Sequence, residues 1–185
     1  MMLSIKYDLS NLKHISNALH AAGEQMPLVL NRAINHTGDK ALTQMRNVLV
    51  GQTGLKRRTL VRAVKGTKAF GAGAYVIRSK GGNVRLKFFA ARETRKGVSA
   101  APWNSRRIYT GSFMKGGRFP NRVALNLGGA VLKRVGKSRH PLETIRSGLF
   151  IPEEMVKGQS EAAFFAVIDR DLPGRIAHEL YRVLG

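Results

Sequence analysis

Between Gly51 and His140 the chain carries 22 lysines and arginines and a single acid, Glu93. Like charges at that density cannot be taken into a core, because a buried cation without a partner carries a large desolvation cost. A chain with near-neutral ends and a basic, glycine-rich centre is shaped around something negative. Polyphosphate and an acidic protein surface are the two classes that fit. The flanks cancel: residues 1–50 hold 5 basic and 3 acidic side chains, and residues 141–185 hold 5 basic and 7 acidic. The same central stretch contains 14 of the 20 glycines.

A length of 185 residues with 43% hydrophobic content suits one core and one domain over 1–185. Its expected parts are a helical segment over 1–65, a basic β region over 70–147 with mobile loops, and a helical segment over 150–185. The absence of cysteine excludes disulfides and thiolate metal sites. The start, Met1-Met2-Leu3-Ser4-Ile5-Lys6, has no apolar leader run, and Asp8 follows at once. No stretch approaches the ~18 apolar residues of a membrane span. A soluble protein made in a reducing cytoplasm is expected, with no cofactor.

Asp8 or Ser10 can cap a first short helix, with Leu12, Ile15 and Leu19 on one face and Gly23 as its stop. From Met26 to Val50, apolar positions at Met26, Leu30, Ala33, Ile34, Thr37, Ala41, Met45 and Val48 predict a longer helix. Pro27 fits its first turn, and Gly38 weakens it by ~1 kcal/mol relative to Ala. Leu55, Leu60, Val61 and Val64 predict a short third helix capped by Thr53, with Lys56, Arg57 and Arg58 in its first turn. Cations there oppose the helix dipole, so they are either solvated surface charges or groups neutralised by a partner.

Tyr75–Arg78 and Val84–Phe88 flank a Gly/Asn turn and predict a hairpin, with Val84, Leu86 and Phe88 inward and Arg85 and Lys87 outward. Arg92 to Asn104 lacks a period and predicts a long mobile loop; Lys115 to Arg122 predicts another. Further strands are expected at Ile108–Met114, Ala130–Val135 and Leu142–Arg146. Ser160–Ile168 and a helix opened by Asp171-Leu172-Pro173 close the chain, the last burying Ile176, Ala177, Leu180, Val183 and Leu184. The order predicts an α+β fold: N-terminal helices, a central twisted antiparallel sheet with long basic loops, and C-terminal helices.

Motifs for catalysis are incomplete. Gly136-Lys137-Ser138 ends like a phosphate-binding P-loop, but the first glycine position is Val131 and Arg139-His140-Pro141 cannot open the required helix. His178-Glu179 begins like a zinc-protease helix, yet the second ligand position is Arg182. Glu153-Glu154 reads as a pair of helix-start charges rather than an acid/base couple, and no serine stands in a nucleophile elbow. A non-enzymatic protein is expected. Trp103, Tyr109, Phe113 and Phe119 lie among basic residues, where they either stack on bases or pack the sheet. Trp103, beside Pro102, is the expected intermolecular anchor. The candidate contact residues are Lys56, Arg57, Arg58, Arg62, Arg85, Lys87, Arg92, Arg95, Lys96, Trp103, Arg106, Arg107, Arg118 and Arg122.

Several short segments occur in a telling order: Leu30-Asn31-Arg32-Ala33, then Thr53-Gly54-Leu55-Lys56-Arg57-Arg58-Thr59-Leu60-Val61. They are followed by the basic β region, His140-Pro141-Leu142, Phe150-Ile151-Pro152 and a closing Leu172-Pro173 helix. In this order the chain resembles the minor tail protein Z (tail-completion) family of long-tailed bacteriophages and prophages. The resemblance implies a structural virion protein at the head-proximal end of the tail, assembled in the bacterial host cytoplasm. It implies partners among the tail terminator, tail tube or neck proteins, further copies of the chain in a ring, and DNA passing through. No catalytic residues carry over, and Thr53–Leu60 is the best candidate for a shared functional segment. The competing reading is a free nucleic-acid-binding protein of the nucleoid or ribosome, and a third is an enzyme on nucleic acid, which lacks a carboxylate cluster for metals.

Overall fold

Apolar side chains spaced by three and four after Met26 wind the chain into its longest helix, and a matching stripe near the C-terminus covers it. The computed structural model describes residues 2–5, 23–71 and 73–184. The expected first helix between Asp8 and Leu19 lies outside them. Four helices follow: α1 (Met26–Thr53), α2 (Arg57–Ala63), α3 (Ile151–Met155) and α4 (Gly158–Leu184). Helix α1 buries Val29, Ala33, Ile34, Thr37, Gly38, Ala41, Leu42, Met45, Leu49 and Thr53, one face of a rod about 42 Å long. Helix α4 answers with Phe164, Val167, Ile168, Leu172, Ile176 and Leu180, and α1 against α4 is the largest packing contact between elements.

The strands form small antiparallel sheets. β1 (Met2–Ile5), β2 (Val64–Thr67) and β3 (Tyr75–Ser79) make the first, with β3 central; Ile77 pairs Leu3 on one side and Gly66 on the other. β4 (Arg92–Glu93), β5 (Gly97–Ala100) and β6 (Arg107–Thr110) make the second, and β5 is its central strand. β7 (Ser112–Phe113), the two-stranded pair β8 (Lys115–Gly116) and β9 (Val123–Ala124), then β10 (Leu132–Arg134) and β11 (Leu142–Thr144) complete the set. β10 joins β11 to β7. The class is α+β: after strand β1, the long helix α1 and short α2 precede the remaining antiparallel strands, and α3 and α4 close the described chain. One continuous central sheet does not form: Gly111, at φ 73°, turns the chain between β6 and β7, and splits the expected Ile108–Met114 strand.

Four further expectations are corrected. Thr53 does not cap α2; it closes α1, its Oγ1 donating to the Leu49 carbonyl (2.6 Å) and accepting from the Leu55 N–H (3.2 Å). Gly54 follows at φ 75° and returns its N–H to Val50, a left-handed helix stop. The Tyr75–Phe88 hairpin is absent, because β3 already has a partner on each edge. Val84 instead bonds to Leu149 and Ser147, and Leu86–Phe88 tightens into a 3-10 turn. The Arg92–Asn104 stretch is not a loop but a β4–β5 hairpin followed by a 3-10 turn at Pro102–Asn104. Its period is hidden because small side chains let both faces of β5 go inside: Gly97, Val98, Ser99 and Ala100 are all buried.

The C-terminus is one helix rather than two, so Asp171 is no cap and Pro173 lies inside α4. Proline there removes a hydrogen bond and costs ~3 kcal/mol. Burying Leu172 and Ile176 on either side contributes about 1.5–3 kcal/mol each, enough to hold the helix through it. In that last stripe Ile176 and Leu180 are buried, whereas Ala177 is exposed. Among the described residues no helix is long and apolar enough to cross a membrane.

Candidate polyanion-binding face

Helix α2 is anchored from below. Leu55 and Leu60 are buried, and Val64 continues the anchor where β2 begins. With those side chains inward, Lys56, Arg58 and Arg62 are left facing solvent. Opposite them, buried Leu86 and Phe89 hold the 3-10 turn, whose Phe88 N–H donates to Arg85 (3.1 Å) and Phe89 N–H to Leu86 (3.0 Å). The tight turn throws Phe88 outward, 39% exposed, against the alternation that predicts it inside. Between α2 and this turn lies a groove of 530 Å³ lined by Lys56, Arg58, Arg62, Lys87 and Phe88, with Thr59, Ala63 and Ala90 as its small walls. No acid lines it. Lys87 is held in place: its Nζ donates to the Gly128 carbonyl (2.8 Å) and stands 5.3 Å from the Phe88 ring centre.

The other candidates divide by what they already touch. Arg57 donates to the Asn47 side chain and does not line the groove. Arg85 is exposed, and its backbone forms an isolated antiparallel bridge with that of Arg146 outside the strands. Arg92 is exposed on β4, Arg95 and Lys96 form the β4–β5 turn, and Arg118 is exposed after β8. Arg106 donates to Ser99 Oγ (3.1 Å). Arg107 donates to the Tyr109 hydroxyl (2.8 Å) and the Ser147 carbonyl (3.3 Å), so it braces β6. Arg122 is ion-paired with Glu93, the one acid of the central stretch.

Trp103 is tied down within the fold. Its Nε1 donates to Glu154 Oε1 (3.2 Å), and Trp103 and Asn104 both sit in the left-handed region at φ 51° and 57°. Each such residue costs about 1–3 kcal/mol. Asn104 offsets part of this by donating to the Gly51 carbonyl (2.5 Å), which seats the turn over the end of α1.

No family model, curated protein or solved structure matches this chain.

The sequence reading missed the role of Glu154. It is 4% exposed, in the first turn of α3, and accepts from Gln52 Nε2 (2.9 Å), Trp103 and Lys157 Nζ (2.8 Å). Burial acts to raise its pKa, but the bonds from Lys157, Gln52 and Trp103 outweigh it and hold the carboxyl below its ordinary value. Nothing local in Ile151-Pro152-Glu153-Glu154 distinguishes which glutamate goes inside. A larger groove of 650 Å³ runs between α1 and α4 past His36, Asp39, Lys40 and Asp171. There Asp171 is engaged by Arg170 (2.6 Å) and Lys40 (3.3 Å), so positive and negative charges meet inside it.

Proposed function

We propose that this chain is a structural protein of a long phage tail, acting without catalysis at the head-proximal end during tail completion. The α2 groove is its contact for an acidic surface on a tail terminator, tube or neck protein. The observation that carries this reading is the collection of Lys56, Arg58, Arg62 and Lys87 in one groove without an acid. The sequence order from Leu30 to Pro173 supports the tail family, and the virion is then where the protein resides after assembly in the host cytoplasm. Contact with further copies of the chain is part of the proposal. Phe70, 95% exposed, is displayed on a turn that Asn35 clamps at Ala69 (2.7 and 3.0 Å) and Asn31 at Gly71 (2.7 Å). An apolar side chain held ready in this way loses little freedom on association.

The deciding experiment is complementation of a phage lacking the protein by a Lys56→Glu, Arg58→Glu variant. Anions suit a helix start, so the variant should melt no lower than wild type, while like charges at the contact should abolish tail completion. Wild-type phage yield from the variant would overturn the groove's role. The second reading, a free nucleic-acid-binding protein, is favoured by Phe88 standing exposed among the same cations, as a base-stacking platform requires. That reading expects random-sequence DNA to bind wild type and not the variant, while tail assembly is unaffected.

A further inference from the structure

A second cationic site lies away from α2, where the β4–β5 turn meets the β7–β8 corner and β10. Arg95, Lys96, Lys115, Arg122 and Arg134 converge on a cavity of 230 Å³, with Ser112, Phe113 and four glycines completing its wall. Its cations are positioned rather than merely close. Glu93 accepts the Lys115 N–H (2.8 Å) and pairs with Arg122, which fixes the corner carrying Lys115 to the strand below it. The Arg134 guanidinium lies 5.9 Å from the Phe113 ring centre, and Arg122 lies 5.9 Å from that of Phe119. Arg122 Nε is buried and has no hydrogen-bond partner. A buried donor left in that state is unfavourable, and Arg122 itself lines the cavity.

Five cations against Glu93 leave this small space strongly positive. Guanidinium forks match the oxygens of phosphate, which accept paired, charge-assisted hydrogen bonds from arginine. The cavity is smaller than the ~300–1,000 Å³ of sites that take whole drug-sized ligands. We propose that it is a binding site for a phosphate group, supplied either by a nucleic-acid backbone or by a free polyphosphate. Nothing in this proposal depends on the tail reading, since it uses neither the α2 groove nor a tail partner.

The test titrates full-length protein with pyrophosphate at constant ionic strength, by calorimetry and by melting temperature. Saturable binding that raises the melting temperature is expected, about tenfold weaker in Lys96→Ala, Arg134→Ala. A Lys80→Ala control, which removes an exposed cation lining neither groove, should bind as wild type does. Lys96→Ala alone, on an exposed turn, serves if the double variant fails to fold, and should weaken binding in the same direction. Competition between short duplex DNA and pyrophosphate identifies the backbone as the source, while pyrophosphate binding without competition identifies free polyphosphate. No saturable binding, equal affinity in the Lys96 variants, or stronger competition by a polyglutamate peptide than by DNA or polyphosphate would overturn the proposal.

Discussion

Gly38 in α1 and Tyr75 in β3 are in such close contact that a β-carbon at Gly38 would stand 2.4 Å from Tyr75 Cγ. From the other side, Gly66 approaches the hydroxyl end of the same ring: a β-carbon there would lie 2.2 Å from its oxygen. The ring is 1% exposed and its hydroxyl donates to Asp39 Oδ1 (2.8 Å). One aromatic side chain thus joins the long helix to the first sheet through two positions that admit only hydrogen.

Helix propensity and packing make opposite forecasts for Gly38→Ala. Propensity alone would stabilise the protein by ~1 kcal/mol. The obstructing atom is the root of the Tyr75 ring, which cannot swing aside without moving its strand, so overpacking should dominate. A net loss of about 1–2 kcal/mol is expected in urea unfolding. A variant more stable than wild type would show that the ring yields freely.

Tyr75 also sets an alkaline limit. Burial, the bond to Asp39 and the nearby carboxylate charge all push its pKa well above the ordinary tyrosine value. The folded state therefore favours the neutral phenol. Its contribution is complete below the unfolded pKa of ~10 and is lost as pH rises beyond it, by up to about 1.4 kcal/mol per pH unit. Tyr75→Phe should be less stable at neutral pH, by ~1 kcal/mol for the lost hydrogen bond, yet show a shallower decline above pH ~10. Parallel stability curves for the two proteins would contradict this.

Trp103 and Glu154 should behave as one unit. Trp103→Phe removes a donor to a buried carboxylate and should cost about 1–2 kcal/mol, and Glu154→Gln a similar amount. Because they share a bond, the double variant should lose less than the sum of the two. The Glu154 contribution belongs to its ionised form, with a depressed pKa. It is present above the unfolded carboxyl pKa of ~4.3 and disappears as pH falls below it, so the Glu154→Gln difference should shrink in acid. Strict additivity would mean that the indole and the carboxylate act separately.

What was legible in the chain was its periodicity. The spacing from Met26 to Val48 marks α1 over nearly its whole length, and the charge imbalance marks the central stretch as cationic. The α+β order also follows from sequence. The strands were harder, because most are two to five residues long and several are written in small residues. β5 is Gly-Val-Ser-Ala, which has no alternation to detect when both faces are buried. Phe88 departs from the expected inward position for a similar reason: a 3-10 turn, not a strand, exposes its ring and leaves Phe89 inside. Pro173 read as a boundary because local chemistry opposes helix there, whereas packing against α1, contributed by residues far away in the chain, overrides it. The Glu154 cluster draws on Gln52, Trp103, Lys157 and Ser160, and no single window contains it.

The pairing of α1 with α4 has a consequence for how the protein is made. The ribosome finishes α1 at Thr53 but does not begin α4 until Gly158. At roughly 5–20 residues per second, the stripe from Val29 to Leu49 waits several seconds for the helix that covers it. During that interval the nascent chain combines an uncovered apolar rod with a growing polycation beside the ribosomal RNA. Successful production of this protein rests on keeping those two features apart until its last turns emerge.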